Sequence, residues 1–299
     1  MESRLPMKQV SVIGLGRMGG GLAAQLSRHD FPVRVFDISE TALKAAVSHG
    51  ATAATSATDA AKGADVVLTC LPTPEDVLGA YNAAPGGILA EAGNTVFIDV
   101  STIDPRSASE IQRRVKEAGG RFIACPLGKG PQQAAIGESP LFIGGDPEAI
   151  TAAQEVLDTI GSAQHFFGTV EEATAFKLVS NMIAFANLAA LCEGYLAAKT
   201  AGIADTTFAA ALEDTGGMSY QASLRLPWIA EGDFAPRFAV DLAKKDLRLG
   251  VDMAARQASP VPLAALTLQA LALASARGLG NLDAAAIVEI LRAENLRQI

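Results

Sequence analysis

A glycine-rich turn between an apolar run and a helical pattern constrains this chain more than any other feature. The turn is Gly14-Leu15-Gly16-Arg17-Met18-Gly19, and it follows the run Val10-Ser11-Val12-Ile13. The first glycine permits a tight turn, the second lets the backbone approach a pyrophosphate, and the third lets the next helix pack against the strand. The stretch therefore predicts the opening strand, turn and helix of a dinucleotide-binding sheet.

A second apolar run supports this interpretation. Val33-Arg34-Val35-Phe36 ends in Asp37, about twenty residues after the turn, where a carboxylate accepts hydrogen bonds from an adenosine ribose. The same carboxylate would repel the extra phosphate of NADP. We expect NAD as the cofactor, with NADP less favoured.

Composition narrows the class of protein. The 299 residues are enough for two domains, and 49% of them are hydrophobic. No stretch approaches the ~20 uninterrupted apolar residues of a membrane span, and no basic-then-apolar leader is evident. The three cysteines are widely spaced, and the net charge is −8. We expect a cytoplasmic protein with reduced thiols, no metal site, and neither nucleic acid nor membrane as partner.

The periodicity changes from strand-like to helical near residue 169. Strands are predicted in the first part, at residues 10–13, 33–36, 51–53, 65–70, 95–99, 121–125, 141–145 and 164–168. A long helix from Glu171 to about Thr200 follows, and then shorter helices separated at Gly202, 216–217, Pro227, 232–233, Pro260 and 278–280. The predicted domains are an α/β domain of residues 1–169 and an all-helical domain of residues 170–299.

Candidate ligand-binding groups follow the predicted strands. Leu71-Pro72 ends one strand, Ser101-Thr102 follows the next, and the turn Gly128-Lys129-Gly130 follows another. In a doubly wound sheet, ligands bind beyond the carboxyl ends of the strands. We therefore expect these three segments at the same edge of the sheet.

Lys177 is the candidate for proton transfer. It lies in the apolar sequence Ala175-Phe176-Lys177-Leu178-Val179, and Asn181 follows one helical turn later. Such a lysine either extends its amine to water or is desolvated, which favours its neutral form and suits proton exchange with an alcohol oxygen. Its position near the predicted domain junction favours the second possibility, because substrates commonly bind between domains.

Together with Lys244-Lys245-Asp246-Leu247, these motifs resemble the β-hydroxyacid dehydrogenase family over essentially the whole chain. The resemblance implies a Rossmann-type domain followed by an all-helical domain, as in 6-phosphogluconate dehydrogenase, and assembly as a homodimer or homotetramer. It also implies reversible hydride transfer between NAD(P) and a small anionic 3-hydroxy acid or its semialdehyde. No metal is required.

The resemblance assigns roles residue by residue. Lys177 would be the catalytic lysine, and Asn181 would position the substrate beside it. Cofactor contacts would come from residues 14–19, Asp37, Leu71, Pro72, Thr102 and Lys245. The anionic end of the substrate would be held by Ser101, Gly128, Lys129 and Gly130, with Phe238 at the pocket wall.

Lys129 departs from the family pattern, in which Ser-Gly-Gly is common where this chain has Gly128-Lys129-Gly130. Its ammonium could bind a sulfonate or a second carboxylate, or it could simply solvate the loop. A Tyr195…Lys199 pair matches the motif of short-chain dehydrogenases, but the serine that such enzymes place about thirteen residues earlier is not there. The same fold could also serve an imine reductase or a non-catalytic NAD-binding protein. The lysine at position 177 argues against imine reduction, and Lys177, Asn181 and Ser101 together argue against a non-catalytic protein.

Overall fold

The computed structural model describes residues 8–82, 86–90 and 92–292, and over these residues the chain forms eight strands and thirteen α-helices. It divides into two compact units, Met1–Lys177 and Leu178–Ile299. The predicted boundary after residue 169 lies at the first residue of α8 (Val170–Thr200), a helix that contributes residues to both units.

One sheet organises the first unit. Its strands are β1 (Val10–Ile13), β2 (Val33–Phe36), β3 (Thr52–Ala53), β4 (Val66–Thr69), β5 (Val96–Asp99), β6 (Arg121–Ala124), β7 (Ser139–Gly145) and β8 (Gly161–Phe167). They lie in the order β3-β2-β1-β4-β5-β6-β7-β8. All neighbouring pairs are parallel except β6 and β7, which are antiparallel. The α/β class predicted for this part of the chain is confirmed.

Apolar residues on both faces of the sheet explain why helices cover it on two sides. The helices of this unit are α1 (Arg17–Arg28), α2 (Glu40–Ser48), α3 (Ala57–Ala61), α4 (Pro74–Ala80), α5 (Pro105–Glu117), α6 (Pro131–Ala135) and α7 (Pro147–Ile160). Val10 and Leu68 pack on one face with α1 and α7. Val67 and Phe97 pack on the other face with α4 and α5. This is the two-sided burial expected of parallel strands.

The second unit is helical. It contains the rest of α8 and then α9 (Asp205–Glu213), α10 (Tyr220–Glu231), α11 (Val240–Arg256), α12 (Pro262–Ala274) and α13 (Ile287–Leu291). Phe185, Leu188 and Cys192 of α8 pack with Leu247 of α11 and Leu271 of α12 in one buried core. The long helix predicted to reach about Thr200 ends at that residue.

The prediction of a helix break at Pro227 is wrong, because Pro227 lies inside α10. The helix is bounded elsewhere: the Ser219 hydroxyl accepts a hydrogen bond from the Ala222 amide, and Gly232 ends the helix in a left-handed conformation. Between these ends Leu226 and Ile229 are buried. Their packing outweighs the cost of about 3 kcal/mol that an interior proline imposes.

Within the described residues, two helical stretches are long and apolar enough to cross a membrane by length and composition. They are α8 and the stretch Pro262–Leu279. Val170 and Ala173 of α8 pack into the core of the first unit, and Leu188 packs into that of the second. Part of the apolar surface of α8 is thus used within the core of each unit.

Candidate active site

The glycine turn after β1 has the geometry of a phosphate cradle. Gly14 has a φ of +89°, and a methyl group added to it would lie 2.3 Å from the Cys70 carbonyl oxygen. A methyl group at Gly19 would lie 2.0 Å from the Gly14 carbonyl oxygen, so these two positions require glycine. Gly16 is exposed, and an added methyl group there would meet nothing within 4 Å. Gly16 is the N-cap residue of α1, and it has no side chain to accept a hydrogen bond from the first amides of the helix. Its surroundings therefore fit a dinucleotide pyrophosphate at the helix N-terminus.

Asp37 connects the end of β2 to this turn. Its Oδ2 accepts a hydrogen bond from the Leu15 amide at 2.6 Å, and its Oδ1 accepts one from the Ser39 amide at 2.7 Å. A carboxylate has about four acceptor positions. The half-buried Asp37 can thus hold the glycine turn and still accept ribose hydroxyls. The next residue, Ile38, is 96% exposed and carries no charge.

Ser101 links the segments that follow β4 and β5. Its Oγ accepts a hydrogen bond from the Leu71 amide at 2.9 Å and donates one to Asp99 Oδ1 at 2.6 Å. A methyl group at Gly14 would lie 2.9 Å from a side-chain carbon of Leu71. The carboxyl ends of β1, β4 and β5 therefore bring Gly14, Leu71 and Ser101 together. Thr102 is half-buried and Pro72 is exposed at the same edge.

The turn after β6 presents a cation in an unusual backbone conformation. Lys129 is exposed and has a φ of +60°, in the left-handed region that non-glycine residues seldom occupy. The buried Gly128 donates its amide hydrogen to the Pro140 carbonyl at 2.8 Å. The Gly130 amide lies 3.4 Å from Gln133 Oε1. Of the groups predicted to bind an anion here, the Lys129 ammonium is therefore more accessible than the Gly128 amide.

Lys177 and Asn181 lie one turn apart on α8, and both are 8% exposed. The apolar neighbours Phe176 and Val179 are 40% and 37% exposed. The helix thus buries its lysine while leaving adjacent hydrophobic side chains partly in solvent. This arrangement does not fit a lysine that extends along the surface to water.

Asp246 joins two of the predicted site residues in the second unit. Its Oδ2 accepts a hydrogen bond from Asn181 Nδ2 at 2.7 Å, and its Oδ1 lies 2.8 Å from Lys245 Nζ. Asp246 is 3% exposed. The contact with Lys245 shows that this lysine is held by a buried carboxylate and is not merely a solvated surface charge.

Phe238 is positioned by a second buried carboxylate. Its ring centroid lies 5.4 Å from that of Phe185, and its amide donates to Asp283 Oδ2 at 2.8 Å. Asp283 also accepts a hydrogen bond from Arg225 Nε at 3.0 Å. The segment before α11 is therefore fixed by an ion pair that is almost completely buried.

The Tyr195…Lys199 pair is used in a different contact. The Tyr195 hydroxyl and the Lys199 ammonium both contact Asp205 Oδ1, at 3.1 and 2.9 Å. Burial, assisted by the hydrogen bond to Asp205, raises the pKa of Tyr195. A raised pKa makes the phenol a poorer proton donor, which agrees with the missing serine of the short-chain dehydrogenase motif.

The roles of three buried carboxylates in these networks, Asp99, Asp246 and Asp283, were not predicted from the sequence. For Asp246 a signal exists, because it lies in the buried stripe of α11 formed by Ala243, Leu247 and Gly250. A carboxylate in an apolar stripe at helical spacing calls for a buried partner.

Two family models match adjacent parts of the chain. Residues 9–171 match the NAD binding domain of 6-phosphogluconate dehydrogenase. Residues 172–291 match the model described as NAD-binding of NADP-dependent 3-hydroxyisobutyrate dehydrogenase. The glycine turn of residues 14–19 thus lies in a segment that matches an NAD-binding domain. The resemblance to the β-hydroxyacid dehydrogenase family is confirmed.

Individual relatives match over nearly their full length. The NAD-dependent L-serine dehydrogenase of Pseudomonas aeruginosa is 31% identical, over 93% of this chain and 95% of the relative. The 2-(hydroxymethyl)glutarate dehydrogenase of Eubacterium barkeri is 29% identical, over 94% of each chain. The structure of Mycobacterium tuberculosis 3-hydroxyisobutyrate dehydrogenase with L-serine is 29% identical, has a TM-score of 0.87, and is matched over 96% of this chain and 100% of that one. The chain therefore belongs to the β-hydroxyacid dehydrogenases, a family of NAD(P)-binding oxidoreductases that act on CH–OH groups.

Proposed function

We propose that this protein is an NAD-preferring dehydrogenase that interconverts a small anionic 3-hydroxy acid and its semialdehyde. The observation that carries the proposal is the buried Lys177, one turn from Asn181, in a chain that also has a phosphate cradle. A protein that only binds NAD needs the cradle but not a buried lysine. Burying a charged side chain is unfavourable, so its presence favours a chemical role.

In the proposed reaction Lys177 exchanges the proton. During reduction its ammonium donates a proton to the carbonyl oxygen of the semialdehyde, and during oxidation its neutral amine takes the proton back from the hydroxyl group. The Asn181 amide holds that oxygen in place, while one of its own hydrogens remains on Asp246. When bound, the nicotinamide supplies the hydride that reaches the carbonyl carbon, or accepts it in the oxidation direction. Fixing the reacting atoms in register lowers the barrier.

The preference for NAD rests on the end of β2. Residues 14–19, Leu71, Pro72, Thr102 and Lys245 would hold the cofactor, with Asp37 on the adenosine ribose. The Asp37 carboxylate is already fixed by two backbone amides, so it cannot easily turn away from a 2′-phosphate. The neighbouring Ile38 offers no positive charge to that phosphate. The expected outcome is repulsion of NADP.

The substrate class rests on the relatives and on Lys129. L-Serine and 2-(hydroxymethyl)glutarate, named for two relatives, both carry a hydroxymethyl group on the carbon next to a carboxylate. We infer that this chain takes the same unit. The exposed Lys129 ammonium and the Gly130 backbone would meet an anionic group, with Phe238 at the pocket wall. Ser101 is predicted from the resemblance to share the task, although its hydroxyl hydrogen is directed at Asp99.

A second anionic group on the substrate is supported by the backbone of Lys129. A left-handed conformation costs a non-glycine residue about 1 kcal/mol, which glycine at this position would avoid. Retaining a charged side chain there favours a ligand for it, namely a sulfonate or a second carboxylate. Lysine meets such a group as a point charge, not as a bidentate fork.

A substrate panel tests the proposal. Oxidation of NADH and of NADPH is followed with methylmalonate semialdehyde, tartronate semialdehyde, succinate semialdehyde and sulfolactaldehyde, with a cyclic imine as the control for imine reduction. We expect NADH-dependent turnover of at least one semialdehyde and none of the imine. Turnover of the imine alone would contradict carbonyl chemistry.

Self-association and location are part of the same proposal. On α12 the side chains of Leu263 and Leu266 are 70% and 68% exposed, and an exposed apolar face of this kind favours a homodimer or homotetramer. Cys70, Cys125 and Cys192 all lie in the described part of the chain and form no disulfide there, which fits the reducing cytoplasm.

A further inference from the structure

We propose that Asp99 is a positioning residue for the cofactor, acting through the Ser101 hydroxyl and the Leu71 amide on the segment that borders the glycine turn. The inference rests on the proposed function, because it assumes that this edge of the sheet binds a nicotinamide dinucleotide. It also gives Ser101 a different task from anchoring the substrate.

Asp99 is a carboxylate at the end of a fully buried strand, and it is 1% exposed. Its Oδ1 accepts hydrogen bonds from Thr69 Oγ1 at 2.7 Å and from Ser101 Oγ at 2.6 Å. Thr69 is paired with Asp99 in the β4–β5 register. The carboxylate therefore joins the ends of two neighbouring strands below the predicted cofactor edge.

The hydroxyl groups of this network donate their hydrogen bonds in the direction of Asp99. Burial, together with the charge of Asp99, raises the pKa of Tyr81 well above its usual range, so the phenol keeps its proton. Thr69 uses its one hydroxyl hydrogen on Asp99, which leaves the Tyr81 hydroxyl, at 2.9 Å from Thr69 Oγ1, as the donor to Thr69. Because each hydroxyl carries a single hydrogen, the directions of these bonds are fixed.

The same rule fixes what Ser101 can do. Its hydroxyl hydrogen is on Asp99, and one oxygen lone pair accepts the Leu71 amide at 2.9 Å. Ser101 therefore offers a ligand an acceptor and no hydroxyl donor, which makes it a poor partner for a substrate carboxylate. Its firm contact is instead with Leu71, whose side chain borders the position of Gly14. We expect the loss of this contact to weaken cofactor binding.

Titration of the purified protein with NADH, and separately with NADPH, tests the inference without any substrate. The variants are Ser101→Ala, Asp99→Ala, their double variant, and Asp99→Asn, which keeps an oxygen acceptor for both hydroxyls. The matched control is Ser107→Ala, since Ser107 Oγ also donates to a carboxylate, Asp104 Oδ2, at 2.6 Å. Thermal unfolding is recorded for each variant.

Ser101→Ala and Asp99→Ala should each raise the NADH Kd about tenfold. The NADH Kd of the double variant should be no higher than that of the single variant with the higher Kd. The reason is that Asp99 acts on the cofactor only through Ser101, so the second substitution removes nothing more. Asp99→Asn should recover most of the affinity, and Ser107→Ala should stay within about twofold of wild type. If Asp99→Ala does not fold, Ser101→Ala and Asp99→Asn decide the matter.

Two results would overturn the inference. One is an unchanged NADH Kd in Ser101→Ala together with a raised KM for the semialdehyde, which would make Ser101 a direct substrate ligand. The other is a double variant whose fold increase in NADH Kd equals the product of the two single-variant increases, which would mean that Asp99 and Ser101 act independently. Both presuppose a wild-type protein that binds a nicotinamide dinucleotide. A wild-type protein that binds neither NADH nor NADPH would instead contradict the proposed function.

Discussion

Replacing Asp246 with asparagine should both destabilise the second unit and impair turnover. Asp246 is 3% exposed, and it contacts Asn181 Nδ2 at 2.7 Å and Lys245 Nζ at 2.8 Å. Asp246→Asn keeps one oxygen acceptor but removes the negative charge. The Lys245 side chain, which is 13% exposed, then faces a neutral amide in place of a carboxylate.

The magnitude follows from this geometry. Removing one partner of a buried ion pair costs about 3 to 5 kcal/mol. Because the amide retains an acceptor and Lys245 has some access to water, we expect a loss just below that range, about 2 to 3 kcal/mol of unfolding free energy. This corresponds to a Tm lower by about 5 to 10 °C. Since the Asn181 amide loses a charged acceptor that orients it, kcat should fall at least about tenfold.

Calorimetry and steady-state kinetics measure the two effects. The control is Asp241→Asn on the same helix, because Asp241 contacts Lys244 at 2.7 Å but its side chain is 51% exposed. That exposed pair should contribute less than about 1 kcal/mol. The double variant Lys245→Gln/Asp246→Asn should regain stability relative to Asp246→Asn, because it also removes the positive charge that Asp246 balances.

Two results would contradict this prediction: an equal fall in Tm for Asp246→Asn and Asp241→Asn, or a double variant that is less stable than Asp246→Asn. Either result would mean that the buried charge pair does not determine the stability of this region.

Three further predictions concern cofactor choice, substrate charge and assembly. Asp37→Asn keeps an acceptor for the Leu15 amide but removes the repulsion of a 2′-phosphate, so the ratio of kcat/KM for NADH over NADPH should narrow about tenfold; an unchanged ratio would place the selectivity elsewhere. Lys129→Gly places glycine at a φ of +60° and should leave Tm unchanged within about 2 °C. It should raise KM for doubly anionic substrates and not for singly charged ones. An equal rise in KM for both would mean that the Lys129 ammonium does not bind a second anionic group. Leu266→Lys on exposed α12 should lower the mass measured by light scattering toward that of one chain, and an unchanged oligomer would show that this face is not the interface.

The sequence predicted the features that depend on neighbouring residues. The order of apolar run, glycine turn and helix identified β1, Gly14, Gly19 and α1, because strand and turn requirements are local. The change of period near residue 169 located the start of α8 for the same reason. The helix break predicted at Pro227 was wrong because α10 is stabilised by contacts with residues distant in the sequence, which the local pattern does not show.

The buried carboxylates could not be predicted in the same way. Asn181 and Asp246 are 65 positions apart, and Arg225 and Asp283 are 58 positions apart. Nothing in the local pattern says which distant donor meets which acceptor. Ser101 shows the consequence for function, because its hydroxyl is a candidate donor in the sequence and is directed at Asp99 in the fold.

The most direct test of the account is Lys177→Ala, assayed for NADH binding and for turnover of the best semialdehyde. Lys177 is buried on α8, and we propose it as the group that exchanges the proton with the substrate oxygen. The variant should bind NADH within about threefold of wild type and lose at least about a thousandfold in kcat, since both general acid catalysis and charge stabilisation are removed. Parallel loss of NADH affinity and turnover, or turnover that survives the substitution, would contradict the assignment of Lys177 as the proton donor.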